Sequence, residues 1–86
     1  MPHVIVKLAA GWSDDRKQEL ARRITRDVMD VLDHDADAVS VAIEDVPAED
    51  WMATVYEPEI VGRQSTLIKR PGYGSLADGN APSGAE

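Results

Sequence analysis

The sequence predicts an α/β fold built on one βαβ unit. Three observations predict it. Residues 2–9 (PHVIVKLA) and 39–45 (VSVAIED) alternate as strands do, and residues 14–33 between them carry apolar side chains at helical spacing. A helix of that length between two strands makes them parallel neighbours, and such crossovers are almost always right-handed.

In the first strand Val4, Val6 and Leu8 point one way and His3, Ile5 and Lys7 the other. Gly11 breaks the run, and Ser13 is placed to cap a helix. Asp14 and Asp15 then sit in the first turn, at the positive end of the helix dipole. Leu20, Ile24, Val28, Val31 and Leu32 form the apolar stripe; Arg16, Lys17, Arg22, Arg23 and Arg26 fall mostly outside it, as a solvated face. Residues 34–38 (HDADA) read as a turn. The second strand sets Val39, Val41 and Ile43 against Ser40, Ala42 and Glu44. The helix covers the first set of each strand. The opposite sheet face is mixed, and two parallel strands do not survive alone. A second subunit is therefore expected to complete the sheet to four strands. Residues 47–50 (PAED) lead into a short helix near Trp51. Pro58 suits the first turn of an extra C-terminal helix, with Ile60, Gln64, Leu67 and Ile68 on one face and Pro71-Gly72 ending it. The folded domain is expected over 2–73. Residues 74–86 (GSLADGNAPSGAE) read as a disordered tail.

Composition narrows the function classes. The chain has 86 residues, room for one thin core that buries about 60% of the unfolded surface. With no cysteine, thiolate chemistry and disulfide staples are excluded, and a small unstapled core favours oligomers. The net charge is −7, and eleven acids but no Lys or Arg lie between Arg26 and Arg63. Nucleic acid is not an expected partner, because no basic face is visible. No apolar run approaches the ~20 residues of a membrane span, and no signal peptide is apparent, so the expected location is cytoplasmic. No HExxH, GxSxG or Gly-rich phosphate loop occurs. His3 and His34 belong to no ligand motif, so no metal is expected.

Pro2 is the unusual residue. Removal of Met1 leaves a secondary amine, rigid in its ring, at the head of a strand. An ordinary amine is protonated at neutral pH and useless as a base. Apolar walls or a nearby cation disfavour the ammonium form and bring the amine near the operating pH.

With Pro2 opening a strand, PHVIVKLAAGWSDDRK running into a long helix, and VSVAIEDV following, the chain resembles the 4-oxalocrotonate tautomerase superfamily. Trp51 and the ending LIKRPGY look like its short, dimeric, phenylpyruvate tautomerase-like branch. The resemblance implies that Pro2 is catalytic and that Trp51 shapes an apolar pocket wall. It places Trp12 and Ser40 where the founding enzyme has two substrate-binding arginines. The implied substrate is a 2-hydroxy-alkenoate or aryl-pyruvate enol with one carboxylate. Arg63, Lys69 and Arg70 are the candidates to hold that carboxylate.

The expected function is cofactor-independent keto–enol tautomerisation by a homodimer, with a hexamer as the alternative assembly. Two other readings stay open: a non-catalytic dimeric scaffold with Trp12 and Trp51 at an interface, and a Pro2-dependent hydration or Schiff-base enzyme on the same fold.

Overall fold

The computed structural model describes residues 1–78. The chain divides into two compact units, Met1–Trp51 and Met52–Glu86.

The first unit is the expected βαβ arrangement: strand β1 (His3–Ala9), helix α1 (Asp14–Leu32) and strand β2 (Ser40–Val46). The strands pair in parallel, from His3 opposite Ser40 to Ala9 opposite Val46. The second strand starts one residue later than its alternation suggests, since Val39 closes a 3₁₀ turn over Ala36–Ala38. Backbone bonds extend the ladder at both ends: the Ser40 N–H donates to the Pro2 carbonyl (3.2 Å) and the Ala10 N–H to that of Val46 (2.8 Å).

Local chemistry sets the limits of α1. The Ser13 hydroxyl accepts the Arg16 N–H at 3.2 Å, satisfying one of the helix's free donors. Gly11, at φ +128°, makes the preceding turn in a conformation open to glycine. At the far end Asp33 takes the left-handed conformation (φ 57°), and the His34 N–H reaches back to the Met29 carbonyl at 3.2 Å. That six-to-one closure stops the helix without a glycine.

Helix α1 is tied to β2 by Lys17, whose Nζ donates to Asp45 Oδ2 at 2.7 Å. Asp45 shares its sheet face with Val41 and Ile43, and through the register with Val4, Val6 and Leu8. The helix therefore covers the predicted apolar face. On the other face His3, Ile5, Ser40 and Glu44 are exposed. Even on the covered side the layer is thin: Leu20, Ile24 and Val28 are only half-buried, Val31 and Leu32 are exposed, and no described side chain of this unit is fully buried.

The second unit departs from expectation. Its helix does not begin at Pro58. It runs over Met52–Val61, is π-wound, and holds Pro58 inside. Proline donates no N–H and its ring pushes against the carbonyl four residues back, which the wider π winding relieves. The winding closes through the Gly62 N–H on the Glu57 carbonyl at 2.9 Å. Any side chain at 62 would put its Cβ 2.4 Å from the Pro58 carbonyl oxygen. The expected face of Ile60, Gln64, Leu67 and Ile68 does not form. After a 3₁₀ turn at Gln64–Thr66 the chain is irregular, and Ile68 is 101% exposed.

Residues 74–78, expected in the tail, are ordered in the structure. Ser75–Asp78 forms a short helix, α2, and Leu76 is only 7% exposed. The remainder of the expected tail, 79–86, lies outside the described residues. Tyr56, fully buried, organises this packing. Its hydroxyl donates to the Tyr73 carbonyl (2.9 Å) and accepts the Leu76 N–H (3.0 Å), while its ring lies 5.0 Å from that of Tyr73. Gly74, at φ +70°, passes so close that a Cβ there would sit 2.4 Å from the phenol ring.

Two substitutions test this packing by urea denaturation. Tyr56→Phe strands the buried Leu76 N–H and is expected to cost about 1–3 kcal/mol. Gly74→Ala meets both a left-handed backbone and the ring, and is expected to cost about as much or more.

Candidate functional site

Pro2 stands half-buried at the head of β1, held there by its carbonyl's bond from the Ser40 N–H. The Ser40 hydroxyl shares a 2.6 Å hydrogen bond with His3 Nδ1 on the uncovered sheet face. Pro2 and Ser40 are thus brought together at one end of the parallel pair, with His3 beside them. Met1 is 99% exposed.

Trp12 lies past the other end of β1. Seven residues of strand separate the two ends, about 23 Å. One chain therefore does not bring Trp12 and Pro2 together. Trp12 directly precedes the Ser13 cap and is 55% exposed. It lines an open cleft of about 470 Å³ with Leu8 and Leu20, edged by Arg16, Lys17 and Arg23. Trp51 is half-buried where the 3₁₀ turn Ala48–Asp50 ends, its N–H on the Ala48 carbonyl.

The three cations expected to hold a carboxylate all belong to the second unit and are exposed. The Arg63 carbonyl accepts both the N–H and the hydroxyl of Thr66 (2.9 and 2.7 Å). Lys69 Nζ donates to the Arg70 carbonyl at 3.3 Å.

The cleft is richer in chemistry than its sequence suggests. Lys17 is held by Asp45 and, at 3.7 Å, by Asp14. Glu19 accepts from Arg23 at 2.8 Å and also pairs with Arg22. Those hydrogen bonds, first from Arg23 and then from Arg22, hold the Glu19 carboxyl below its ordinary range. The Asp45 hydrogen bond holds the Lys17 ammonium above its ordinary range. Arg16, expected on a solvated face, is indeed exposed and lines the same cleft as Trp12. The signal was its spacing, since Trp12, Arg16 and Leu20 recur every four residues. Among the described residues no group of three or more His, Asp and Glu is placed to hold a metal. None of their helices is long and apolar enough to cross a membrane.

The Lys17–Asp45 tie has a defined pH signature. Lys17 titrates higher in the folded chain than unfolded, so its contribution is complete below the unfolded value and is lost as pH rises through the folded one. Urea midpoints measured between about pH 9 and 12 should show this alkaline loss in the wild type and a smaller one in Asp45→Asn.

A family model described as "Tautomerase enzyme" matches residues 2–57, beginning on Pro2. A "Probable tautomerase" of Xylella fastidiosa (strain 9a5c) is 58% identical over 77 residues, covering 90% of this chain and 94% of that protein. Proteins called "Tautomerase PptA" are 36% identical in Cronobacter sakazakii and 39% in Klebsiella pneumoniae (strain 342); each alignment covers 85% of this chain and 97% of the relative. The similarity thus extends over nearly the whole length of these relatives. The chain belongs to the tautomerase family, the 4-oxalocrotonate tautomerase superfamily, and that membership supports an isomerase of the tautomerase type.

Proposed function

We propose that the protein is a keto–enol tautomerase in which Pro2, freed by removal of Met1, is the acid–base group. The observation that carries this reading is Pro2 at the head of β1, in a chain whose family match begins at that residue. The exposure of Met1 leaves its peptide bond open to an aminopeptidase. The neutral proline nitrogen takes the hydroxyl proton of a 2-hydroxy-alkenoate or aryl-pyruvate enol. It then delivers a proton to the neighbouring carbon, leaving the keto acid. Atoms and charge balance with no redox step, so the reaction calls for no cofactor.

The working form we propose is a homodimer in the cytoplasm, with a hexamer as the alternative. The uncovered face of β1 and β2, and the lack of a fully buried side chain in the first unit, favour a partner. A partner also supplies what one chain does not, a Trp12 beside each Pro2. Trp12 and Trp51 then give the pocket an aromatic lining suited to a substrate with an aryl or short alkyl group. The exposure of Trp12 equally suits a second reading, a dimeric scaffold without catalysis.

Pro2→Ala separates the two readings. On an aryl-pyruvate enol its rate is expected to fall by about 10²–10⁴ while circular dichroism stays native. The wild-type pH–rate profile should rise along a limb set by the neutral amine. Equal rates in two folded proteins would remove Pro2 from the mechanism. Intact mass should lack Met1, and retention of Met1 in active protein would defeat the reading. Sedimentation equilibrium at micromolar concentration should give a dimer; a folded monomer would reject the assembly.

A further inference from the structure

The proposed reaction needs a cation for the substrate's carboxylate, and the three cations that sequence reasoning nominated lie outside the first unit. Within that unit the Trp12 cleft contains three cationic side chains, and their partners differ. Lys17 is engaged by Asp45 and Asp14. Arg23 is engaged by Glu19. The Arg16 backbone caps onto Ser13, but among the described residues its guanidinium has no ion-pair or hydrogen-bond partner. It stands on the rim of a cleft whose apolar lining comes from Leu8, Trp12 and Leu20.

We propose that this cleft is the carboxylate-binding end of the substrate site, with Arg16 as the anchoring cation and Trp12 as the surface for an aryl or alkyl group. The inference rests on the tautomerase reading and deepens it by naming the residue that holds the substrate's carboxylate. Arg16 offers a planar fork of N–H donors that matches a carboxylate two-pronged. An unpaired guanidinium gives up no existing ion pair on binding, unlike Lys17 or Arg23. One free cation accommodates one carboxylate. A second would meet Glu19, already shared by Arg22 and Arg23, and Asp14, so dicarboxylates are disfavoured. Because Trp12 lies past the end of β1 opposite Pro2, the proposed site pairs this cleft with the Pro2 of a second copy.

The test uses 3-phenylpropionate, which cannot tautomerise, and its uncharged amide, titrated against the full chain by tryptophan fluorescence. Wild type is expected to bind the acid about 10- to 100-fold more tightly than the amide, the range for a charge-assisted hydrogen bond. In Arg16→Gln the two ligands should bind alike, and Arg16→Lys should recover part of the preference. The fluorescence response should weaken in Trp12→Phe, where Trp51 is the remaining reporter. With an enol substrate, Arg16→Gln should raise KM about 10-fold or more and change kcat little. An acid preference that survives in Arg16→Gln, no preference in wild type, no detectable binding, or a response undiminished in Trp12→Phe would each overturn the proposal. Binding of the inert acid does not depend on Pro2. Arg16-dependent binding without turnover would therefore defeat the tautomerase reading alone, and turnover unaffected by Arg16→Gln would defeat this inference alone.

Discussion

The parallel pairing of β1 with β2 is the constraint on which the rest of the first unit depends. Parallel neighbours need a long crossover, so α1 must run the length of the sheet and return. One crossover covers one face only. The pairing brings Val4, Val6 and Leu8 level with Val41, Ile43 and Asp45 beneath the helix, and turns His3, Ile5 and Ser40 away from it. It also decides the geography of the chemistry. Pro2 and Ser40 meet at the ladder's first rung, whereas the turn into α1 carries Trp12 past its last. A single copy thus holds an amine and an aromatic cleft at opposite ends, and the proposed dimer joins the amine of one copy to the cleft of the other.

The architecture of the first unit was largely legible because its elements are governed by local rules. Ser13 with Asp14 and Asp15 marks the start of α1, and strict alternation marks both strands. These signals are strong enough that the limits move by one residue. The second unit was illegible for a physical reason. Proline ordinarily opens or ends an α-helix, and Pro58 was read so. A π-wound segment has no sequence period of its own to recognise, and it absorbs the proline in its interior. The short tail segment misled in a similar way. A single Leu among Gly, Ala and Ser suggests little to bury, yet Leu76 finds the Tyr56 hydroxyl and packs there. Nothing local announces a contact between residues twenty positions apart.

The site divides along the same line. Pro2 was legible because its position in the chain, more than its surroundings, makes it special. The cation proposed for the carboxylate is less legible, because a list of charges does not reveal which are already engaged. Five cations line α1, and composition treats them alike. The folded chain does not. Lys17 is turned toward the sheet by Asp45, and Glu19 draws in both Arg22 and Arg23. The Glu19 pairs, whose arginines are exposed, add little to stability. Arg16 and Arg26 have no ion pair among the described residues, and of these two Arg16 is the one that lines the Trp12 cleft.

This arrangement gives a physical sense to the departure from the founding enzyme's pattern. A tryptophan at position 12 removes a cation but not the means of holding an anion, provided another cation covers the same ground. Arg16 follows Trp12 by four residues, and both line the same cleft. In the proposed site, a ring at 12 and a charge at 16 keep one carboxylate contact while adding an aromatic face beside it. A pocket built that way loses its hold on a doubly charged, slender substrate. It gains one on a singly charged substrate with an apolar body, because binding then draws on ring burial as well as on the ion pair.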